Sequence, residues 1–290
     1  MTMVENKQVT NNSFNNKSNL VGTSETLRSV PLNISDDRFD QWLSGFIDGR
    51  GNLLVNKSGN CSFELVVDKY DSLVLLAIKN KLGGSIKSRV NSYRYLLRYD
   101  KQLINLLNRI NGNIRSSQRI PQFRQMCTHY RIIYRESIPL TSDNAWYSGY
   151  FDALGTINCD RMTIEMTVST KHEVDIKLFN TGPFSHGQYT YVKACYGYYT
   201  WSTTDKSTIM DIYHYFKLYP SRTHMLHRIK LIKEFYTLQS DQSLYNQTTK
   251  DKLWNTFLTK WEDRVKIKSV HIKLNELTNV DLVNMKNDKS

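Results

Sequence analysis

Cysteine is scarce in this chain of 290 residues, and what there is does not cluster. Cys61, Cys127, Cys159 and Cys195 are scattered and form no CxxC doublet, which argues against a zinc module or a disulfide framework and points to a reducing compartment. Long apolar runs are missing as well. None approaches the roughly 18 residues of a membrane span, so no membrane partner is expected. The N-terminus has neither the apolar core of a signal peptide nor the Arg-rich, acid-poor character of a transit peptide. Acidic residues are lacking in one long stretch: between Ser72 and Glu136 stand 13 lysines and arginines against only Asp100 and Glu136. That stretch carries nearly all of the net charge of +12. Solvated faces usually mix signs, so a one-signed stretch points to a polyanionic partner, nucleic acid first.

What is present is enough apolar material, 40% of residues, to fill a sizeable core, and an internal repeat. Residues 1–35, rich in Asn, Ser and Thr without apolar periodicity, are expected to form a disordered or loosely attached leader. A first segment, 36–140, opens with FDQWLSGFIDGRGNLLV (Phe39 to Val55), and a second, 141–240, with NAWYSGYFDALGTINC (Asn144 to Cys159). Gly45 and Gly149, Asp48 and Asp152, and Gly51 and Gly155 align at one offset of 104 residues. Each opening helix is followed by two strand-like runs, Asn52–Lys57 with Ser62–Lys69 and Thr156–Cys159 with Met162–Thr170. Helices come next, Asp71–Leu82 ending at Gly83-Gly84 and His172–Asn180 ending before Gly182-Pro183. Second strand pairs follow, Ser85–Asn91 with Arg94–Asp100 and Gln188–Ala194 with Tyr196–Thr203. Helical patterns finish both segments, Lys101–Ile110 with Arg119–Glu136 and Asp205–Leu218 with Ser221–Gln239. Residues 241–290 hold a further helix pattern, Lys252–Arg264, and a polar tail. The expected class is α+β, an αββαββα unit used twice.

On the two opening helices Ser44, Gly45 and Gly49, and Ser148, Gly149 and Ala153, fall one residue or one turn apart and make flat, small-residue stripes. Such stripes let two backbones approach closely, so the helices are placed side by side at the interface of the repeats. LSGFIDGRG (Leu43 to Gly51) and YSGYFDALG (Tyr147 to Gly155), in this architecture, resemble the motif of the LAGLIDADG family of homing endonucleases and intron maturases. INGNI (Ile110 to Ile114) and YPSRTHMLHRIKLI (Tyr219 to Ile232) resemble its later signatures. The resemblance covers roughly Phe39 to Leu238 and implies a pseudo-two-fold monomer, an internal pseudo-dimer with two antiparallel sheets.

In cleaving relatives, the resemblance implies, the eighth motif position of each helix is an acid, and the two carboxylates hold divalent metal for phosphodiester hydrolysis. Here those positions are Arg50 and Leu154. A guanidinium repels a cation and a leucine offers no lone pair, so no catalytic residue and no metal site are expected. Asp48 and Asp152 lie two residues earlier, about 200° around the helix, and are read as structural. His224 and His227 lack the further ligands of a metal site and are read as basic surface; Asp68 and Asp71 are read as a strand end and a helix cap.

Candidate nucleic-acid contacts come from three places. Lys87 and Arg89 share one face of a strand and Arg94 and Arg98 one face of the next, a basic ribbon suited to a groove and its phosphates. The matching pair in the second repeat carries Tyr189, Tyr191, Tyr196, Tyr198, Tyr199 and Trp201. Aromatics in strands are commonly core, but Tyr189, Tyr191 and Tyr198 are expected to include some that stack on unpaired bases. Arg119, Arg124, Arg131 and Arg135 form a second basic surface on a helix, either merely solvated or docked on structured RNA. The function expected is an RNA-binding cofactor of maturase type that helps a group I intron fold and splice without cutting DNA. It needs no cofactor of its own, the Mg²⁺ belonging to the bound RNA. A homing endonuclease cutting double-stranded DNA and a non-catalytic sequence-specific DNA-binding protein are the alternatives. The family resemblance, with an Asn- and Lys-rich composition, carries an expectation of mitochondrial location.

Overall fold

In the computed structural model, residues 34–193, 197–240 and 247–263 are described. Residues 1–33 of the expected leader, Cys195, Tyr196 and the polar tail beyond 263 lie outside them, while Ile34 and Ser35, expected in the leader, begin the first helix. The first repeat runs α1 (Ile34–Arg50), β1 (Asn52–Val55), β2 (Cys61–Asp68), α2 (Ser72–Leu82), β3 (Ser85–Ser88), β4 (Ser92–Leu97), α3 (Asp100–Ile110) and α4 (Arg119–His129). The second runs α5 (Trp146–Leu154), β5 (Gly155–Cys159), β6 (Ile164–Thr170), α6 (Glu173–Phe179), β7 (Gln188–Val192), β8 (Tyr198–Thr203), α7 (Lys206–Leu218) and α8 (Met225–Ser240), and α9 (Gln247–Glu262) follows. The two sheets are antiparallel with one strand order, β1-β2-β4-β3 and β5-β6-β8-β7. No helix among the described residues is long and apolar enough to cross a membrane.

Period-two alternation decides which side of each sheet meets the helices. Phe63, Leu65 and Val67 of β2 and Ile164, Met166 and Val168 of β6 are buried, while Ser62, Glu64 and Val66, and Glu165, Thr167 and Ser169, face the other way. Both repeats feed one core, in which Trp42, Phe46, Trp146, Tyr150, Phe179 and Trp201 are fully buried or nearly so. The added helix α9 packs Trp254, Phe257 and Trp261 against Phe235 of α8 and the core.

Four expected elements are shorter than the apolar pattern implied. The run Arg119–Glu136 is helical only to His129, because Arg131 adopts φ 56°, and Ile132 N–H donates to Cys127 O (2.8 Å) and Arg131 N–H to Thr128 O (3.2 Å). That is a Schellman ending with arginine where glycine is usual. The run Ser221–Gln239 becomes helix only from Met225, since Ser221 and Thr223 spend their hydroxyls on Asp152. The ribbon strands close early: Arg89 lies past β3 in the turn, and Arg98 past the end of β4.

Candidate nucleic-acid interface

The two motif helices α1 and α5 meet backbone to backbone. A Cβ built on Gly45 would lie 2.0 Å from Trp146 O, and one on Gly149 1.8 Å from Trp42 O; one on Gly49 would lie 2.4 Å from the Ala153 Cβ. Ser44 and Ser148 are fully buried beside them, the Ser44 hydroxyl donating to Asp40 O (2.7 Å). Gly45, Gly49, Gly149 and Ala153 line one interface. Its contacts are reciprocal, residue i on j and j on i, as a two-fold relation requires.

Polar latches close this interface. The Trp146 indole donates to Asp48 Oδ2 (2.7 Å) and the Trp42 indole to Asp152 Oδ2 (2.8 Å). Each carboxylate also takes a backbone N–H from a loop of its own repeat, Arg115 onto Asp48 and Arg222 onto Asp152, both at 2.8 Å. The guanidinium groups of those loops lie over the partner indoles, Arg115 at 5.8 Å from Trp146 and Arg222 at 5.2 Å from Trp42. Burial pushes the Asp48 carboxyl up to about 7 against the pull of these donors, and raises Asp152 as well. Both aspartates therefore point into the protein.

A second pair of latches was not foreseen. Asp71 accepts His224 N–H (2.8 Å) and faces its Nδ1 (2.9 Å), while Asp175 accepts the Ser116 hydroxyl (2.9 Å) and Ser117 N–H (2.8 Å). Asp71 is thus no ordinary helix cap, since its carboxylate crosses to the other repeat and makes no capping bond. Trp42 and Trp146, and Asp71 and Asp175, stand at the same 104-residue offset as the motif glycines, a pattern that could have found them. His227 turns elsewhere, its Nε2 meeting Lys260 O at 2.6 Å, so the two histidines share no site. Among the described residues no three His, Cys, Asp or Glu side chains are grouped to hold a metal.

At the C-terminal ends of the helix pair stand Arg50 and Leu154. Arg50 Nε donates to Ala153 O, and its Nη1 lies 4.0 Å from Asp68 Oδ2. Leu154 is partly buried and comes close to Gly49. A divalent metal does not fit here, since a fixed guanidinium and an alkyl chain replace the hard anionic oxygens it would need.

The faces of the sheets turned away from the helices differ in chemistry. On the first, Lys87 and Arg94 are direct cross-strand partners, but Arg94 is paired with Glu64 on the neighbouring strand. Arg89 and Arg98 are exposed at the strand ends rather than within the ribbon. The second face is uncharged over most of its area: Thr156, Thr167, Ser169, Thr190, Thr200 and Ser202 share it by register. Tyr198, paired with Val192, lies on that open face. Tyr189 and Tyr191 lie on the opposite side of the strand, where Tyr191 is nonetheless 58% exposed. They pair with Trp201 and Tyr199, and Trp201 is buried against Phe179 and Phe184, so their side of the strand is the helix side.

The helical basic surface is corrected too. Arg119 is 8% exposed and donates to Gln122 Oε1 (3.1 Å). Arg124 pairs with Glu136 at 2.8 Å and lies 4.5 Å from the Tyr134 ring. Only Arg131 and Arg135 of that set are exposed without an acidic partner, and they lie beyond the helix on the segment that joins the repeats. Arg115 holds that segment by donating to Ile138 O (2.7 Å).

Comparison with known proteins agrees with this geometry. Residues 43–130 match the model of the LAGLIDADG endonuclease family. An intron-encoded RNA maturase, bI4, of Saccharomyces cerevisiae is 36% identical over 89% of this chain; the chain spans just under half of that protein, 47%. An intron-encoded DNA endonuclease, ai2b, of Dictyostelium discoideum is 33% identical over 76% of this chain and 88% of its own length. Among solved structures, the homing endonuclease I-LtrWI bound to target DNA superposes with a TM-score of 0.58 at 13% identity, over 79% of this chain and 99% of its own, a likeness of fold. With two motif helices packed glycine to glycine, two sheets of one strand order and relatives of this identity and coverage, the chain belongs to the LAGLIDADG endonuclease family.

Proposed function

We propose that this protein is a maturase-type cofactor that binds a group I intron RNA and assists its folding and splicing without cleaving DNA. The observation that carries this is the end of the helix pair. Hydrolysis of a phosphodiester by this family's motif calls for a carboxylate on each helix to hold metal. Arg50, fixed on the Ala153 carbonyl, and Leu154, close to Gly49, supply none. The rest of the scaffold, with its helix pair, latches and two sheets, stands complete around that point, which suits a protein that binds. The yeast relative is named an RNA maturase, which supports the same reading. Mg²⁺ enters with the folded RNA, and the proposed place of action is the mitochondrion.

A DNA-cutting reading is favoured by the Dictyostelium relative, named a DNA endonuclease, and by the DNA-bound structural neighbour. One preparation separates the two. The purified protein is expected to stimulate splicing of the intron's transcript and to leave the intron-insertion DNA uncut in Mg²⁺. Cleavage that disappears in EDTA and survives repurification from a nuclease-deficient host would establish the endonuclease instead.

A further inference from the structure

We propose that Arg50 is a phosphate-binding residue at the joined C-terminal ends of the two motif helices, donating to a non-bridging oxygen of a phosphodiester bound between the repeats. This deepens the reading above, that the protein binds nucleic acid without cleaving it, and rests on it. Helices α1 and α5 end side by side, Gly49 against Ala153 and Leu154, and each helix end carries about half a negative charge on its unpaired carbonyls. Two such ends together attract a cation, and here the chain supplies its own. A guanidinium has five N–H donors. One of them, on Nε, is spent on Ala153 O, and that bond fixes the plane of the group. Asp68, at 4.0 Å from Nη1, is beyond hydrogen-bond range, so the terminal nitrogens keep their donors for another acceptor. The side chain is 36% exposed, and Asp68, 64% exposed, belongs to the open face of the first sheet by alternation along β2.

A planar donor group held by one bond loses little further freedom on meeting a phosphate, and arginine is the side chain best suited to that geometry. The arrangement is one-sided. Leu154, at the corresponding point of α5, brings no charge, so the site takes a single phosphate on a single strand. RNA and DNA both present this group, and the probes distinguish the source.

The test compares the full-length protein with Arg50→Gln, using an intron transcript and a duplex DNA spanning the exon junction, each titrated across a range of salt. Loss of one phosphate contact is expected to lower the slope of log affinity against log salt by about 0.7 on a single strand or about 0.9 on duplex DNA. Affinity at low salt is expected to fall roughly tenfold. Thermal melting without nucleic acid checks the fold of the variant. If Arg50→Gln does not fold, neutral methylphosphonates scanned along the strand bound by the wild-type protein read the same contact, with one central position expected to weaken binding. An unchanged slope in a folded variant, or no sensitive central phosphate, overturns the proposal. Failure of the transcript to bind above bulk tRNA would instead count against the maturase reading, leaving the duplex arm to decide on Arg50.

Discussion

Raising the pH should loosen the joint between the repeats, and Asp48 is the group to watch. Its carboxyl is 4% exposed, accepts the Trp146 indole and Arg115 N–H on Oδ2, and leaves Oδ1 buried without a partner. Desolvation lifts its pKa from the ordinary carboxylate value to about 7. Between those two values the folded protein holds a proton that the unfolded chain has released, so stability falls as pH rises. The slope is about 1.4 kcal/mol per pH unit, summing to about 4 kcal/mol over a window of about three units, fully present below about pH 4 and gone above about pH 7. Asp48→Asn keeps an acceptor for both donors and removes the ionisation. Urea unfolding followed by tryptophan fluorescence across that window should show the wild-type protein losing stability relative to Asp48→Asn as pH rises. Asp152→Asn should give a difference of the same sign, since burial raises that carboxyl as well. A difference that stays flat with pH would mean that Asp48 is ionised in the folded protein, its donors outweighing its desolvation.

Gly149→Ala places a methyl group where Trp42 O already lies 1.8 Å away, and should destabilise the fold by about 3 kcal/mol or more, at the upper end of overpacking costs, as read by urea titration. Arg131→Gly removes a side chain from a left-handed position at φ 56° and should stabilise by about 1 kcal/mol in thermal melting. Replacing Lys87, Arg89, Arg94 and Arg98 together by Ala should flatten the salt dependence of nucleic-acid binding. Arg94, already paired with Glu64, should contribute least of the four when they are changed singly; an unchanged slope for the quadruple variant would place the contact surface elsewhere.

The helix pair was legible because its requirement is local. Close approach needs residues without bulk, and Gly45 and Gly149 announce it at matching positions. The faces of the second ribbon were not legible for the opposite reason. Alternation says that Tyr189 and Tyr191 lie together and that Tyr198 and Thr200 lie together, yet it does not say which set meets the core, and a slip of one residue reverses the answer. Trp201 decides it: its pairing with Tyr189 brings that side of the ribbon to Phe179 and Phe184. The end of α4 escaped detection because no glycine marks it, arginine being driven into the left-handed conformation by the hydrogen bonds of the turn. The 104-residue offset marks Asp71 and Asp175 as an equivalent pair, but their partners, His224 and Ser116 with Ser117, are set by tertiary contacts between the repeats.

Within one short motif the sixth and eighth positions answer to different demands. Asp48 and Asp152 each join an indole from the other repeat to a loop of their own, so replacing either by an apolar residue would strand at least two donors in the interior, a cost of about 1–3 kcal/mol for each. Nothing about cleavage enters that argument. The eighth positions sit where the helices end, one side chain 36% exposed and the other partly buried, and the bond from Arg50 to Ala153 O is the one crossing contact described there. A substitution there costs at most that one bond and leaves the buried aspartate latches whole, while changing the chemistry offered at the joined helix ends. On the proposed reading this is why cutting and binding separate in this chain. The scaffold depends on the buried aspartates, the chemistry would have depended on the terminal acids, and a guanidinium at one end gives the helix termini a positive charge without a bound ion.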